Sequence, residues 1–208
     1  VAAYATEPPP FSFGRTPFNV QATTNQEALL DPITSTSGRN WTHYDVTQLD
    51  VEFDLLPGFD TVLFNVVFGS EEYPVYVNTD YVDGFGIYLN GVNIAYARGK
   101  PVNINHSDFR PIGGTALNGV LAPDNNPIVS FSQFLGSGAA NNRLSFILAD
   151  TSDAFLDTTV YVSSLQGTLP QNADLAVAMT GPTNHVIVGS NLTYRVTVTN
   201  LGPNLATA

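Results

Sequence analysis

The sequence predicts an all-β protein, and three observations carry that expectation. Apolar residues come in short runs, either alternating with polar ones or continuous over a few positions, which are the patterns of half-buried and fully buried strands. Gly, Pro, Asn, Ser and Thr interrupt these runs every few residues, as turns between short strands require. No stretch keeps the 3.6-residue apolar period of an ordinary helix. At 208 residues the chain is long enough to bury a normal core as one sizeable domain with room for an appendage.

Taken in order, residues 1–45 show no sustained period. The prolines at 8–10, Pro17 and Pro32 disfavour helix, so this part reads as loops with short edge strands. From Val46 onward, Leu49, Val51, Phe53 and Leu55 alternate with Asp50, Glu52 and Asp54, a half-buried strand. Pro57-Gly58-Phe59-Asp60 is a turn. Residues 61–68 are apolar on both faces except Thr61 and Asn65, which predicts a central strand covered on both sides. Residues 84–89 form a strand ended by Asn90-Gly91, and residues 92–97 return antiparallel to it. Residues 103–119 are polar and Gly-rich, with a turn at Gly113-Gly114, and residues 127–134 are a strand or an irregular run. Residues 144–148 and 159–165 are two further strands, and the segment between them has room for a single helical turn.

A boundary falls at residues 168–172. Beyond it, residues 173–208 carry two alternating runs, Asp174-Leu175-Ala176-Val177-Ala178-Met179 and Leu192-Thr193-Tyr194-Arg195-Val196-Thr197-Val198-Thr199. They look like the opening strands of an immunoglobulin-like sandwich, which needs about 100 residues to close, so the segment is expected to be an incomplete domain.

Charge and composition exclude several functions. A net charge of −11 argues against nucleic acid and anionic membrane surfaces as partners. The absence of Cys removes disulfides and thiolate metal sites. No apolar run is long enough to span a bilayer, and no basic segment precedes an apolar one as in a signal peptide. The chain begins at Val1, so an upstream part is expected to have been removed. Sequons at Asn40, Asn105 and Asn191 occur about as often as chance allows in so Asn-, Ser- and Thr-rich a chain. His43, His106 and His185 lack an H-E-x-x-H or i+4 partner and read as ordinary surface or turn histidines.

The most informative chemistry is a pair of acidic segments. Glu71 and Glu72, leading to Asp80 and Asp83, follow one apolar strand; Asp150, Asp153 and Asp157 follow another. Neither segment holds a basic residue. Seven carboxylates at strand ends, with no cation among them, invite a hard ion with oxygen ligands, and Ca2+ is the usual extracellular choice. The alternative is two acidic loops whose charges are simply solvated. Glu71 and Glu72 cannot face the same side of an extended strand, so one is expected to ligate and the other to point elsewhere. Asp150, Asp153 and Asp157 lie at spacings that a helical turn or a tight loop would bring to one face.

Val67-Phe68-Gly69-Ser70-Glu71-Glu72-Tyr73-Pro74 resembles the F-A-S-E-E-Y-P signature of the choice-of-anchor L domain, with Gly69 where Ala is usual. Asp83-Gly84-Phe85-Gly86-Ile87-Tyr88 is similar to its N-D-x-F-x-F element, although Val82 replaces Asn. Asn93-Ile94-Ala95, Pro101-Val102-Asn103-Ile104-Asn105 and the Asp150, Asp153, Asp157 segment match further elements in order, so the resemblance covers residues 46–167 and leaves the first 45 outside. The tail resembles a second module, a tandem repeat of microbial surface proteins, through Asp174-Leu175-Ala176-Val177 and Val188-Gly189-Ser190-Asn191-Leu192-Thr193-Tyr194. Together these imply a piece of a large secreted protein held at the cell surface.

The combined expectation is a jelly-roll-like β-sandwich over residues 1–169 and the N-terminal part of an immunoglobulin-like repeat over residues 173–208. Its function would be non-enzymatic: a structural or adhesive module, stabilised by Ca2+ at Glu71, Glu72, Asp80, Asp83, Asp150, Asp153 and Asp157. Its expected partners are other copies of itself, or other surface or matrix proteins, with head-to-tail filaments as one outcome. A Ca2+-dependent carbohydrate-binding module, with Tyr73 or Tyr81 against the sugar, is the alternative. Paired Glu residues also fit a glycosidase, but Trp41 is the only Trp available to stack a sugar, and no other catalytic motif accompanies them.

Overall fold

A computed structural model describes residues 18–35, 38–113, 117–169, 175–183, 185 and 187–201. The prolines at 8–10, Pro17, the Gly114 half of the turn, residues 170–174, Val186 and the end beyond Leu201 lie outside the described residues. The chain divides into two units, 1–168 and 169–208.

The first unit is a sandwich of two antiparallel sheets. One orders β1 (His43–Phe53), β10 (Asn142–Thr151), β3 (Gly84–Leu89), β6 (Lys100–Asn103) and β5 (Tyr96–Ala97), with β4 (Val92–Asn93) paired to β3. The other orders β11 (Thr158–Thr168), β2 (Thr61–Ser70), β8 (Gly119–Leu121) and β7 (Phe109–Pro111), with β9 (Val129–Phe134) paired to β2. The inner faces meet through aromatic rings: Phe64 of β2 packs edge-on against Phe146 of β10 at 5.6 Å, and Phe68 stacks with Phe85 at 6.3 Å. Such a buried aromatic layer is the main source of cohesion between two sheets.

The strand buried on both faces is β3 rather than β2. Every residue of β3 is buried, whereas β2 alternates between buried and half-buried positions. The reason is a helix that the sequence reading leaves out: α1 (Thr24–Thr34) lies on the outer face of β3 and β10. Phe85, Ile87 and Leu89 point into the sandwich core, while Tyr88, Ile147 and Ala149 cluster with Leu30 and Ile33 of the helix. Gly84 and Gly86 leave the flat floor on which Ile33 rests; a Cβ at Gly86 would stand 2.6 Å from Ile33 Cδ1, and one at Gly84 2.7 Å from Ile33 Cγ2.

The expectation of loops over residues 1–45 is thus corrected. The helix starts with a reciprocal capping box, Gln26 N–H donating to Thr23 Oγ1 at 3.4 Å and Thr23 N–H to Gln26 Oε1 at 3.0 Å. Pro32 does not prevent it because it sits in the last turn, where the Thr34 hydroxyl donates to the Leu30 carbonyl and Ser35 N–H to the Asp31 carbonyl. The second acidic segment, in contrast, holds bends and no helical turn.

The second unit, as described, is β12 (Leu175–Thr180) paired antiparallel with β13 (Arg195–Asn200). Leu175, Val177 and Met179 share a face with Val196 and Val198, and all are exposed.

Candidate metal centre

The two acidic segments meet at one end of the sandwich because the strands before them end there. β2 ends at Ser70 and β10 at Thr151, and β11 leaves the second segment to pair with β2, Thr158 opposite Ser70. Glu71 and Glu72 lie past the end of β2 in a bend, so they are not on an extended strand and the two-faces argument does not govern them. Glu71 N–H donates to the Asp157 carbonyl at 3.2 Å, joining the segments through the backbone. The Glu71 carbonyl accepts from the Asn118 amide.

Glu72, Asp83 and Asp150 form the buried heart of the cluster, 2%, 0% and 8% exposed. Asp83 ties the loops together: Oδ1 accepts from Thr151 N–H at 2.9 Å and Oδ2 from the Thr158 hydroxyl at 2.7 Å. Glu72 Oε2 is buried with no hydrogen-bond partner. Loss of hydration pushes all three carboxyls well above the usual carboxylate range, and neighbouring carboxylates push them further. Asp83, Asp153 and Asp150 act on Glu72; Asp153 acts on Asp83; and Asp83, Asp157, Asp45 and Asp153 act on Asp150. The ion pairs of the described arginines lie elsewhere, Arg98 with Asp108 and Asp124, Arg110 with Asp108, Arg143 with Asp50.

Of the seven carboxylates expected here, Glu72, Asp83, Asp150, Asp153 and Asp157 therefore act on one another. Asp80 is exposed and joins the second segment through its carbonyl, which accepts from the Ser152 hydroxyl at 2.7 Å. Asp45 was not expected. It reaches the cluster from an irregularity in β1, with φ at 49°, and accepts from the backbone N–H groups of Phe18, Asn19 and Val20.

Two histidines are also corrected. His106 is buried, with Nε2 facing the Ala97 carbonyl at 2.8 Å and Nδ1 accepting from Asp108 N–H at 3.1 Å. His43 is fully buried between α1 and β1, with Nδ1 at 2.5 Å from Glu27 Oε2 and Nε2 at 2.7 Å from Thr34 Oγ1. Among the described residues, Glu27, Asp31 and His43 are the group whose ligand atoms gather within 4.8 Å of one another; the acidic cluster is drawn wider than that. No single-sequence pattern links these three, although the Thr23-x-x-Gln26 capping signal would have marked the helix that supplies two of them.

No curated protein and no solved structure matches the chain. A family model does match, over residues 7–127. It takes in the N-terminal segment that the motif reading left outside, helix α1 included, and ends before the second acidic segment. With more than half of its length matched, the chain belongs to the choice-of-anchor L domain family, a family of cell-surface modules.

Proposed function

We propose that the chain is a non-enzymatic extracellular module whose acidic end binds Ca2+ as a structural ion. The observation that carries the reading is the buried Glu72 carboxyl, one oxygen unpartnered, with Asp83, Asp153 and Asp150 as the charged groups that act on it most. A divalent ion bound by oxygen atoms removes both the repulsion and the unsatisfied acceptor. Glu72, Asp150, Asp153 and Asp157 are the proposed ligands, and Asp83 holds the two loops in register through Thr151 and Thr158. Coordination draws the carboxylates closer, and Asp153 and Asp157, half-buried and outside the strands, have the most room to move. Burial also weighs against a glycosidase, since a sugar ring must reach its two carboxylates. Tyr73 packs on Phe109 at 5.3 Å rather than standing free as a sugar platform.

Calorimetric titration of chelator-stripped protein with Ca2+ tests the reading. Saturable binding that is lost in Glu72→Gln and in Asp150→Asn supports it; no heat of binding, or binding indifferent to both substitutions, refutes it.

The tail reading is a second proposal, carried by a separate observation. The apolar face of β12 and β13 is exposed along its whole length, and an isolated strand pair of this kind is not stable in water. We propose that it belongs to an immunoglobulin-like repeat and is completed by further strands, either its own or a sheet edge of another copy. Sizing the protein with and without residues 173–208 checks the second route. Loss of larger species on removal supports self-association, and a monomer in both cases excludes it.

A further inference from the structure

The structure assigns a second cation site, of different chemistry, to Glu27, Asp31 and His43: we propose that it takes a divalent first-row transition ion such as Zn2+. It does not rest on the calcium reading. Glu27 and Asp31 lie one turn apart on α1 and project toward His43 at the start of β1, placing one ring nitrogen and two carboxylate oxygens within 4.8 Å of one another.

The proton inventory argues for an ion. The Thr34 hydroxyl, with one proton to give, faces both the Leu30 carbonyl at 3.2 Å and His43 Nε2 at 2.7 Å. When that proton goes to Leu30, the neutral ring carries its own on Nε2 and the Nδ1 lone pair meets Glu27 Oε2, acceptor against acceptor, at 2.5 Å. A proton between them would satisfy that pair but not Asp31, whose Oδ1 is buried with no hydrogen-bond partner. A divalent ion serves all three.

The surroundings are arranged as the outer shell of a metal site is. Each carboxylate has one oxygen held by an N–H donor: Glu27 Oε1 accepts from His43 N–H at 3.1 Å and Asp31 Oδ2 from the Asn40 amide at 3.0 Å, while Glu27 Oε2 faces His43 Nδ1 and Asp31 Oδ1 has no partner. The ring is oriented by a hydrogen bond on its far nitrogen, as in most metal-binding histidines. One imidazole and two carboxylates favour a borderline ion over Ca2+, which prefers oxygen alone. Such an ion would fasten the helix to β1, the edge strand of the sheet on which it rests.

The test is titration of the chelator-stripped full chain with Zn2+, in about 1 mM Ca2+ to occupy the acidic end, with Co2+ absorption as a second readout. The expected result is one saturable equivalent, weakened by about tenfold or more in Asp31→Asn and in Glu27→Gln and unchanged in Asp150→Asn. Co2+ should give a visible band that Asp31→Asn removes. Circular dichroism confirms that the variants fold; both substitutions are at part-exposed positions. The proposal is overturned if wild-type protein binds no Zn2+, if binding is unaffected by Asp31→Asn and Glu27→Gln, or if Asp150→Asn abolishes it. The first of these would mean that His43 and Glu27 are only an ion pair.

Discussion

Two groups of carboxylates flank the same strand pairing and are built on different rules. In β1 and β10, His43 stands opposite Thr151 and Tyr44 opposite Asp150, so the two groups are neighbours across one ladder. At the helix side, Glu27 and Asp31 each have one oxygen engaged by an N–H group, and a buried imidazole faces Glu27. At the loop side, Glu72, Asp83 and Asp150 press on one another and on further carboxylates, buried where water cannot screen them, and the donors that reach Asp83 are the neutral Thr151 N–H and Thr158 hydroxyl. Like charge alone does not define a site: what surrounds each carboxylate decides whether it is neutralised by a proton, a nitrogen-tolerant ion or a hard oxygen-seeking one.

The largest effect should come from pulling the helix away from the sheet. Gly86→Val places a side chain against Ile33, Tyr88 and Ile147, and overpacking of this kind costs about 1–3 kcal/mol. It should disrupt the Glu27, Asp31 and His43 corner while leaving the Ca2+ response of the acidic end intact; chemical denaturation with and without Ca2+ separates the two. An effect of similar size, about 3 kcal/mol at a hundredfold excess over Kd, is the Ca2+ stabilisation itself. In Asp150→Asn that increment should vanish, while the stability in chelator should hold or rise, since a buried carboxyl whose ionisation the fold opposes is gone.

Changes in pH sharpen the contrast further. The folded-state values of Glu72, Asp83 and Asp150 are raised, so the native protein holds more protons than the unfolded chain above the ordinary carboxylate range of about 4. Their contribution is present at low pH and is lost as pH rises through the raised values. In chelator, the melting temperature should therefore fall between about pH 5 and pH 8, and the gap between Ca2+ and chelator should widen over that range. A gap that narrows would contradict the assignment of these carboxyls as ligands. The smallest effect is local. Thr23→Ala removes the cap of α1 and should cost about 1 kcal/mol, weakening Zn2+ but not Ca2+ binding.

Where the chemistry is local, the sequence was readable. The end of β3 follows from Asn90-Gly91, whose backbone φ values of 50° and 85° suit a tight hairpin turn, and the apolar run of residues 144–148 marks β10. The acidic segments could be paired because both follow strands and neither carries a basic residue. The helix was not readable from its period, since only Leu30, Ile33 and Thr34 are buried and Asp31-Pro32 resembles a break. Its stability comes from seating on Gly84 and Gly86, a tertiary fact with no signature in residues 24–34. Asp45 and His43 escaped for the same reason: each is defined by what β1 meets in space, through an irregular backbone in one case and through burial in the other.

The most direct measurement is the thermal unfolding of the intact chain in excess chelator and again in Ca2+, at neutral pH. A structural ion at the acidic end predicts a melting temperature several degrees lower in chelator, since about 1 kcal/mol moves a domain of this size by about 2–4 °C. Asp153→Asn should bring the Ca2+ curve toward the chelator one. Superimposable curves for the wild-type protein in chelator and in Ca2+ would contradict the account.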